Sequence, residues 1–424
     1  MEDATAPVRS RPTIPGRLRA IIAAASISSI GDGAWTAAAP LAAAAVTHDP
    51  FAIGLVSAAA LLPWLVISPF AGALVDRWPH RPTLITADTI RGLAVGLIAL
   101  LVMLDRITLP VLALGSFVVT AGAVFHGAAA QSIVADLTDH DPDLRNRVNG
   151  SVSAAETAGA SLVGPPAGSA SFTFAAWLPF AADAISFVAS AALLSAAPKH
   201  QTHSNPAVPR ESLRTAIWSG MRWLARHPQL RTLALLTGAA NFTTTMVYAL
   251  LVLYATGPDG LGIPGRDFGF LIAALAIGGI IGGPLSPRLL RRLDFHWAVV
   301  LAMSVRVLLW PLLALTSSAI VAGAALAVAG FASSVVTVSV VSARQHFTPR
   351  DMLGRVVTTF RTLGNGAGPL GALFGGLVAS KWGIDACFWT AGILMAICLV
   401  IASRTVLRRP PAAQQHRPPP TLGR

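Results

Sequence analysis

Charged residues are scarce in this chain. Asp, Glu, Lys and Arg make up only 12% of its 424 residues, whereas hydrophobic residues make up 54%. A soluble domain carries about 25% charged residues, so this composition excludes a globular fold in water. The length accommodates twelve membrane helices of about 20 residues each, together with loops and tails.

Cysteine pairs and catalytic constellations are also missing. Cys387 and Cys398 are the only two cysteines, and on one helix they would lie about 16 Å apart, too far for a disulfide or a shared metal. The sequence contains no nucleophile elbow and no phosphate-binding glycine loop after a strand. We therefore expect no enzyme activity, no cofactor and no metal, and an ion gradient or the substrate's own gradient as the energy source.

Apolar segments alternate with short polar loops along the whole chain, which predicts an all-α polytopic membrane protein with twelve transmembrane helices. A polar linker divides them into two sets of six. The predicted domains are an N-terminal tail 1–17, a first bundle 18–196, a linker 197–229, a second bundle 230–405 and a Pro-rich, disordered tail 406–424. The predicted spans are 18–46, 52–75, 82–104, 109–135, 149–170, 173–196, 230–256, 267–290, 296–315, 319–343, 356–380 and 384–405.

The net charge of +12 is concentrated in alternate loops. Of the 31 Lys and Arg residues, three lie in the interior of spans and three lie in loops on one side. The remaining 25 lie on the other side, in the termini, in loops and at the span ends next to those loops. The positive-inside rule then predicts cytoplasmic termini in the plasma or inner membrane. This distribution explains the charge without a nucleic-acid partner.

The second part of the linker has helical periodicity. Leu213, Ile217, Met221 and Leu224 recur at helical spacing among arginines. This pattern predicts a basic amphipathic helix on the inner leaflet, and a regulatory docking site is the alternative.

The region between the second and third spans carries a recognisable motif. The apolar helix ends in GALVDR (Gly72–Arg77), and a basic turn closes at Arg81. This pattern resembles the loop between helices two and three of the major facilitator superfamily, although Pro79 and His80 replace the usual glycine and cation. With the framing Leu-Pro-Trp, Pro-Phe-Ala-Gly and Asp-x-x-Arg sequences, it looks most like the branch of enterobactin exporters and drug-efflux proteins, the transmembrane secretion effectors.

The resemblance implies two six-helix bundles that rock around a midplane site, and it implies a monomer. It also implies a cytoplasmic gate, in which Asp76 meets the start of helix eleven and Arg81 pairs with Asp136. The gate residues are Gly72, Asp76, Arg77, Arg81 and Asp136.

Ionisable residues within spans are the main functional candidates, because each is costly in hydrocarbon. Asp32, between two glycines in helix one, is the first candidate for proton coupling, and Glu156 in helix five is the second. Packing against other helices is the alternative for Asp32, and contact with a cytoplasmic Arg or an aqueous vestibule for Glu156. A structural role is predicted for the other intramembrane charges, and an electrostatic role in conformational switching is the alternative. These residues are Asp88, Arg91, Asp183 and Arg306.

Helix five resembles the antiporter motif of drug–proton exchangers, and the matching residues are Gly159, Gly164, Pro165 and Gly168. A Pro-kinked packing helix is the alternative. Side chains that could bind a bulky amphipathic substrate, or equally be ordinary packing, are Trp35, Asn241, Tyr248, Arg361 and Asn365.

Together these features predict a secondary transporter that exports a small amphipathic or hydrophobic compound, such as a drug, siderophore or other natural product, by proton antiport. Its partners would be the substrate, a proton or other coupling ion, and the bilayer. The alternatives are an importer or uniporter of a nutrient or lipid, and a transport-dead sensor with the same fold.

Overall fold

The computed structural model describes residues 15–75, 77–138, 141–196, 213–293, 295–349 and 352–406. The predicted tails and the first part of the linker lie almost entirely outside these ranges, and so does Asp76 of the predicted gate. Within the described ranges the structure is helical and contains no strand.

Twelve long helical segments follow one another in the described part of the chain, and a shorter helix, Leu213–Arg226, lies in the linker. We number the long segments α1 to α12 and call the shorter one the linker helix. Their bounds are α1 Gly16–Val46, α2 50–75, α3 His80–Met103, α4 Leu109–Leu137, α5 142–174, α6 Leu178–Ala196, α7 228–256, α8 Phe268–Arg292, α9 Phe295–Leu315, α10 Ala319–Phe347, α11 Leu353–Trp382 and α12 Ile384–Val406.

The fifth segment is longer than the sequence predicts and is not a regular α-helix throughout. It begins at Pro142, because the carboxylate of Asp141 caps it by accepting a hydrogen bond from the Leu144 N–H at 2.8 Å. A π-helical segment, Thr157–Val163, precedes Gly164–Phe174. Pro165 cannot donate to a carbonyl one turn earlier, and the wider π turn accommodates the missing bond.

Eight of the helices in the described ranges are long and apolar enough to cross a membrane. The other four long segments are α1, α5, α7 and α11, and each carries at least one polar candidate residue. These are Asp32 in α1, Glu156 in α5, Asn241 and Tyr248 in α7, and Arg361 and Asn365 in α11. A helix that faces other helices or a cavity does not need a uniformly apolar surface.

The helices form two bundles, α1–α6 and α7–α12. In the first bundle α1 packs on α5 and α6, and α3 packs on α4 and α6; in the second, α8 packs on α10, and α7 packs on α11 and α12. Small residues allow these approaches. Gly278 of α8 and Gly330 of α10, for example, lie directly against the backbone of the opposite helix.

The bundles meet at the end of the molecule opposite the linker. There Gly54 of α2 lies against the Ala372 carbonyl and Gly376 of α11, and the Ser169 hydroxyl of α5 donates to the Arg266 carbonyl at 2.8 Å. One buried apolar cluster at this end contains residues from both bundles. At the linker end the described residues of each bundle form a separate apolar cluster, so the contacts between the bundles that the structure describes are concentrated at the opposite end.

Candidate functional site

Asp32 lies near the middle of α1, where two glycines bring other helices close. Gly31 packs against the side chain of Asp183 on α6, and Gly33 packs against the backbone of α5 at Gly159 and Gly164. Both glycines are buried. The two glycines therefore admit neighbouring helices and fix the position of Asp32 between them.

The glycines of the antiporter-like motif line the other side of this contact. Gly159 lies against Ser29 of α1, and Gly168 lies against the backbone of Ala34. The Ser29 hydroxyl also donates to the Ala155 carbonyl of α5 at 3.1 Å. The motif and its π-helical segment thus hold α5 against the part of α1 that carries Asp32.

Four ionisable side chains from α1, α3 and α4 come together beside this contact. Arg91 donates to the Asp32 carboxylate, and its other terminal nitrogen lies 3.8 Å from Asp88, as the i,i+3 spacing predicts. His126 Nδ1 lies 2.8 Å from the same Asp88 oxygen. We call Asp32, Asp88, Arg91 and His126 the charge cluster.

Packing holds the charge cluster in place. The Ser190 hydroxyl of α6 donates to Asp88 Oδ2 at 2.6 Å, and the Arg91 guanidinium lies 4.1 Å above the ring of Phe187. Gly122 of α4 leaves room for the aliphatic part of Arg91, since an added Cβ would lie 2.9 Å from its Cδ. A buried charge group of this kind requires such a fitted environment.

The four side chains of the charge cluster differ in their exposure to solvent. The side chains of Asp88 and Arg91 are 0% and 4% exposed, that of His126 is 19% exposed, and that of Asp32 is 34% exposed. Asp32 is therefore the member that solvent reaches most easily. With both carboxylates ionised, Arg91 charged and His126 neutral, the cluster has a net charge of about −1. One added proton therefore makes the cluster neutral.

Two further acids lie around the cluster. Glu156 is exposed and interacts electrostatically with both Asp32 and His126. Because α5 begins early, Glu156 lies about four turns from its start rather than two. Asp183 is fully buried and accepts a hydrogen bond from Ser186 at 3.3 Å, and in the described residues no cation lies within ion-pair distance of it.

The second bundle contains a buried arginine in a different environment. Arg306 of α9 donates to the Thr244 hydroxyl, to the Ala240 carbonyl at 3.2 Å and to the Ser333 hydroxyl at 2.8 Å. It also lies 5.6 Å from the ring of Trp310. No described carboxylate lies within ion-pair distance, so the described hydrogen-bond acceptors of Arg306 are neutral groups.

A cavity of about 370 Å³ opens between the bundles on the linker side of the charge cluster. Its lining includes Trp64 and Ser68 of α2, Gln131 of α4 and Arg361 of α11. Arg361 is exposed in this cavity and interacts electrostatically with Arg344 of α10. The cavity thus combines apolar and amide surface from one bundle with a positive charge from the other.

The structure separates the other substrate candidates. Trp35 packs edge-on against the buried Phe180 at 5.5 Å, within the first bundle. Asn241 faces the α11 backbone at Gly364. Tyr248 interacts electrostatically with Arg306 inside the second bundle, and Asn365 is half-buried one turn beyond Arg361. Of the five candidates, Arg361 alone is among the residues lining this cavity.

The predicted gate pair between Arg81 and Asp136 is not formed. Arg81 donates to the carbonyls of Leu194 and Ser195 at 2.9 and 2.5 Å, because the end of α6 lies beside it. His80 takes the expected place of Arg81 and lies 3.5 Å from Asp136. Gly72 has open space around it, Arg77 is exposed, and Gly354 at the start of α11 also has open space.

Sequence reasoning overlooked His126 and Ser190. His126 is an ionisable residue in the middle of a predicted span, so the criterion that selected Asp32 could have selected it. Ser190 offers no comparable signal, because serines are common in packed membrane helices.

Comparison with known proteins places these features in context. The family described as transmembrane secretion effector matches residues 5–422. The chain is 27% identical to the multidrug efflux pump Tap of Mycolicibacterium fortuitum, covering 91% of this chain and 95% of that protein. It is also 27% identical to the enterobactin exporter EntS of Escherichia coli O1:K1 / APEC, with 85% of each chain covered. Among solved structures, the nucleoside transporter NupG superposes with a TM-score of 0.74 at 11% identity, covering 93% of this chain and 98% of that one.

Proposed function

Because the chain belongs to the transmembrane secretion effector family, a branch of the major facilitator superfamily, we propose that it exports a small amphipathic compound in exchange for protons. A small-molecule substrate and a membrane environment follow from the family itself. The direction, the coupling ion and the substrate are the proposal. Its relatives include a multidrug efflux pump and an enterobactin exporter, which favours export.

The observation that carries proton coupling is the charge cluster. Two acids, of which Asp88 is fully buried, and two bases form a group that is neutral with one added proton. Its net charge changes by one unit when that proton leaves. A net charge in a poorly hydrated site is costly, so proton release should be linked to a rearrangement that admits water or substrate. Asp32, the most exposed member, is where the proton would enter and leave.

The path of the exchange follows from the contacts of Arg91. When Asp32 is ionised it holds Arg91 on the α1 side of the cluster. When Asp32 takes a proton, that attraction ends and Arg91 is left to Asp88, 3.8 Å from its other nitrogen. The α1–α3 contact would therefore be stronger in one protonation state than in the other, which is the differential interaction that a conformational switch requires.

The cavity supports the substrate class. Trp64 and neighbouring small residues offer apolar surface, and Arg361 offers hydrogen-bond donors to an oxygen-rich or anionic group. A compound that combines an aromatic or apolar body with such a group fits this lining.

We also propose that all twelve segments cross the bacterial inner membrane and that the linker end faces the cytoplasm. The support is the concentration of 25 of the 31 Lys and Arg residues in the termini and linker-end loops. On this orientation the described conformation is open to the cytoplasm, and the bundles close the external side through α2–α11 and α5–α8.

The test is transport by purified protein in proteoliposomes with an imposed pH gradient, using ethidium and enterobactin as probes. We expect gradient-driven probe movement in the wild type and at least a tenfold loss in Asp32→Asn, with probe binding retained. Asp183→Asn is the matched control, since it removes a neighbouring carboxylate that interacts electrostatically with Asp32 and Arg91 but forms no ion pair within the described residues. Wild-type gradient-driven rates in Asp32→Asn would rule out the proposed coupling role, and probe movement independent of pH would favour a uniporter.

A further inference from the structure

The linker helix is seated on α11. Gly220 lies so close that an added Cβ would be 2.8 Å from the Arg355 carbonyl, and Arg355 donates to the Ser219 hydroxyl at 3.3 Å. Leu224 is buried on the same side. The helix is therefore fixed to the linker-end half of α11.

The linker helix also continues tightly into α7. The ring of His227 stacks on Trp223 at 3.7 Å, and His227 Nδ1 lies 2.8 Å from the Trp223 carbonyl. A displacement of the linker helix would consequently be transmitted to both α7 and α11.

The opposite face of the linker helix is exposed and has two kinds of side chain. At 100° per residue, Met221, Ala225 and Trp218 form an apolar strip, and Arg222 and Arg226 lie along its edge. All five are exposed, Trp218 to 57%. The linker helix, Leu213–Arg226, contains three arginines and no Asp or Glu, and Arg222 and Arg226 make this exposed face positively charged.

We propose that this face binds the headgroups of anionic phospholipids in the cytoplasmic leaflet. The arginines would contact phosphates, and Trp218 would lie at the level of the headgroups, where amphipathic aromatic rings prefer to be. A large exposed indole beside arginines suits a lipid surface, because the linker helix joins α7 and α11 where those helices leave the bilayer. The assignment rests on the proposed orientation, with the linker end in the cytoplasm.

The binding has a consequence for the transport cycle. α11 carries Arg361 in the cavity, and its linker-end part must move toward the first bundle when the cytoplasmic side closes. A linker helix held on the membrane surface would retain α11 at the periphery. Anionic lipid should therefore increase the population of the state open to the cytoplasm.

The experiment measures distances between spin labels on the linker ends of α4 and α10 in full-length protein. The protein is reconstituted either in phosphatidylcholine alone or in phosphatidylcholine with about 30% phosphatidylglycerol, a fraction that makes the membrane surface strongly negative. We expect phosphatidylglycerol to raise the open-to-closed ratio in the wild type. Arg222→Gln/Arg226→Gln should reduce this lipid-induced change about tenfold, and Trp218→Ser should reduce it as well.

The matched control is Arg291→Gln/Arg292→Gln, which removes two exposed charges from the same side of the protein at the end of α8. It should keep the wild-type lipid response. A wild-type ratio that is equal in the two lipid mixtures, or a control that loses the response as fully as the linker variant, would overturn the assignment. Because the readout is conformational, a failure of export in the transport test would not affect it.

Discussion

Arg91 and Arg306 occupy equivalent positions in the two bundles, but in the described residues only Arg91 contacts carboxylates. Arg91 is the twelfth residue of α3, and Arg306 is the twelfth residue of α9. Their partners are equivalent too, since Asp32 and Thr244 are each the seventeenth residue of the first helix in their bundle. One arginine thus meets a carboxylate where the other meets a hydroxyl.

This difference gives the two bundles different electrostatic properties. The hydrogen-bond partners of Arg306 are hydroxyl and carbonyl groups, which do not change charge. The partners of Arg91 are acids, and one of them also contacts a histidine. On the proposed mechanism, both halves keep a buried arginine while only the first half exchanges protons.

A first prediction tests this equivalence by adding the missing acid. Thr244→Asp should be tolerated, with a change in stability within about 1 kcal/mol, because the new carboxylate would pair with Arg306. Thr243→Asp, its neighbour, should lose about 3 kcal/mol or more, because that buried position offers only backbone carbonyls as contacts. Thermal unfolding in detergent would measure both. Equal losses in the two variants would contradict the equivalence.

A second prediction concerns the energy of the Asp32–Arg91 pair. Arg91→Ala leaves two carboxylates without their cation, and we expect it to lose about 3–5 kcal/mol of stability. Adding Asp32→Asn to Arg91→Ala should recover part of that loss, since one uncompensated charge is removed. The double-mutant cycle, read by the same thermal unfolding assay, gives the pair's coupling energy. Additive effects would mean that the pair contributes nothing beyond its separate members.

The pair could be predicted only in part from the sequence. The i,i+3 spacing of Asp88 and Arg91 fixes their contact within one helix, whatever the tertiary structure. The contact between Asp32 and Arg91 joins residues 59 positions apart and depends on which faces of α1 and α3 meet. Hydrophobic periodicity gives no information about that choice in helices that are apolar on most sides.

The gate and the glycines illustrate the same limit. The motif Gly72–Arg77 predicts the turn and its charges, but the partner of Arg81 depends on where α6 ends. Taken from the sequence alone, the glycines on either side of Asp32 predict a locally flexible helix. In the structure they are the positions at which neighbouring helices approach α1 closely. Pro165 predicts an irregular helix, and its missing N–H explains the π-helical segment before it. The packing of that segment against α1 does not follow from the proline.

A third prediction tests this packing. Gly33→Ala should destabilise the protein by about 1–3 kcal/mol, because the added methyl group would lie within 3 Å of three α5 backbone atoms. Gly150→Ala, in the same α5 segment but with open space around it, is the control and should be neutral or slightly stabilising. A neutral Gly33→Ala would show that α1 and α5 can separate at this point without cost.

The last prediction concerns the charge of His126. If the charge cluster holds one exchangeable proton, a residue at position 126 that cannot change charge should remove part of the pH response of export. His126→Gln keeps a polar group beside Asp88 but leaves the cluster with an uncompensated acid, and we expect export to fall about tenfold or more. His126→Lys supplies a permanent charge, so the cluster should stay balanced without an added proton and respond less to pH.

Export rates across about pH 6 to 8 would distinguish the two variants. His48→Gln, an exposed histidine in the loop between α1 and α2, should retain the wild-type profile. A wild-type profile in both His126 variants would show that His126 takes no part in the exchange and would leave Asp32 as the site of the proton.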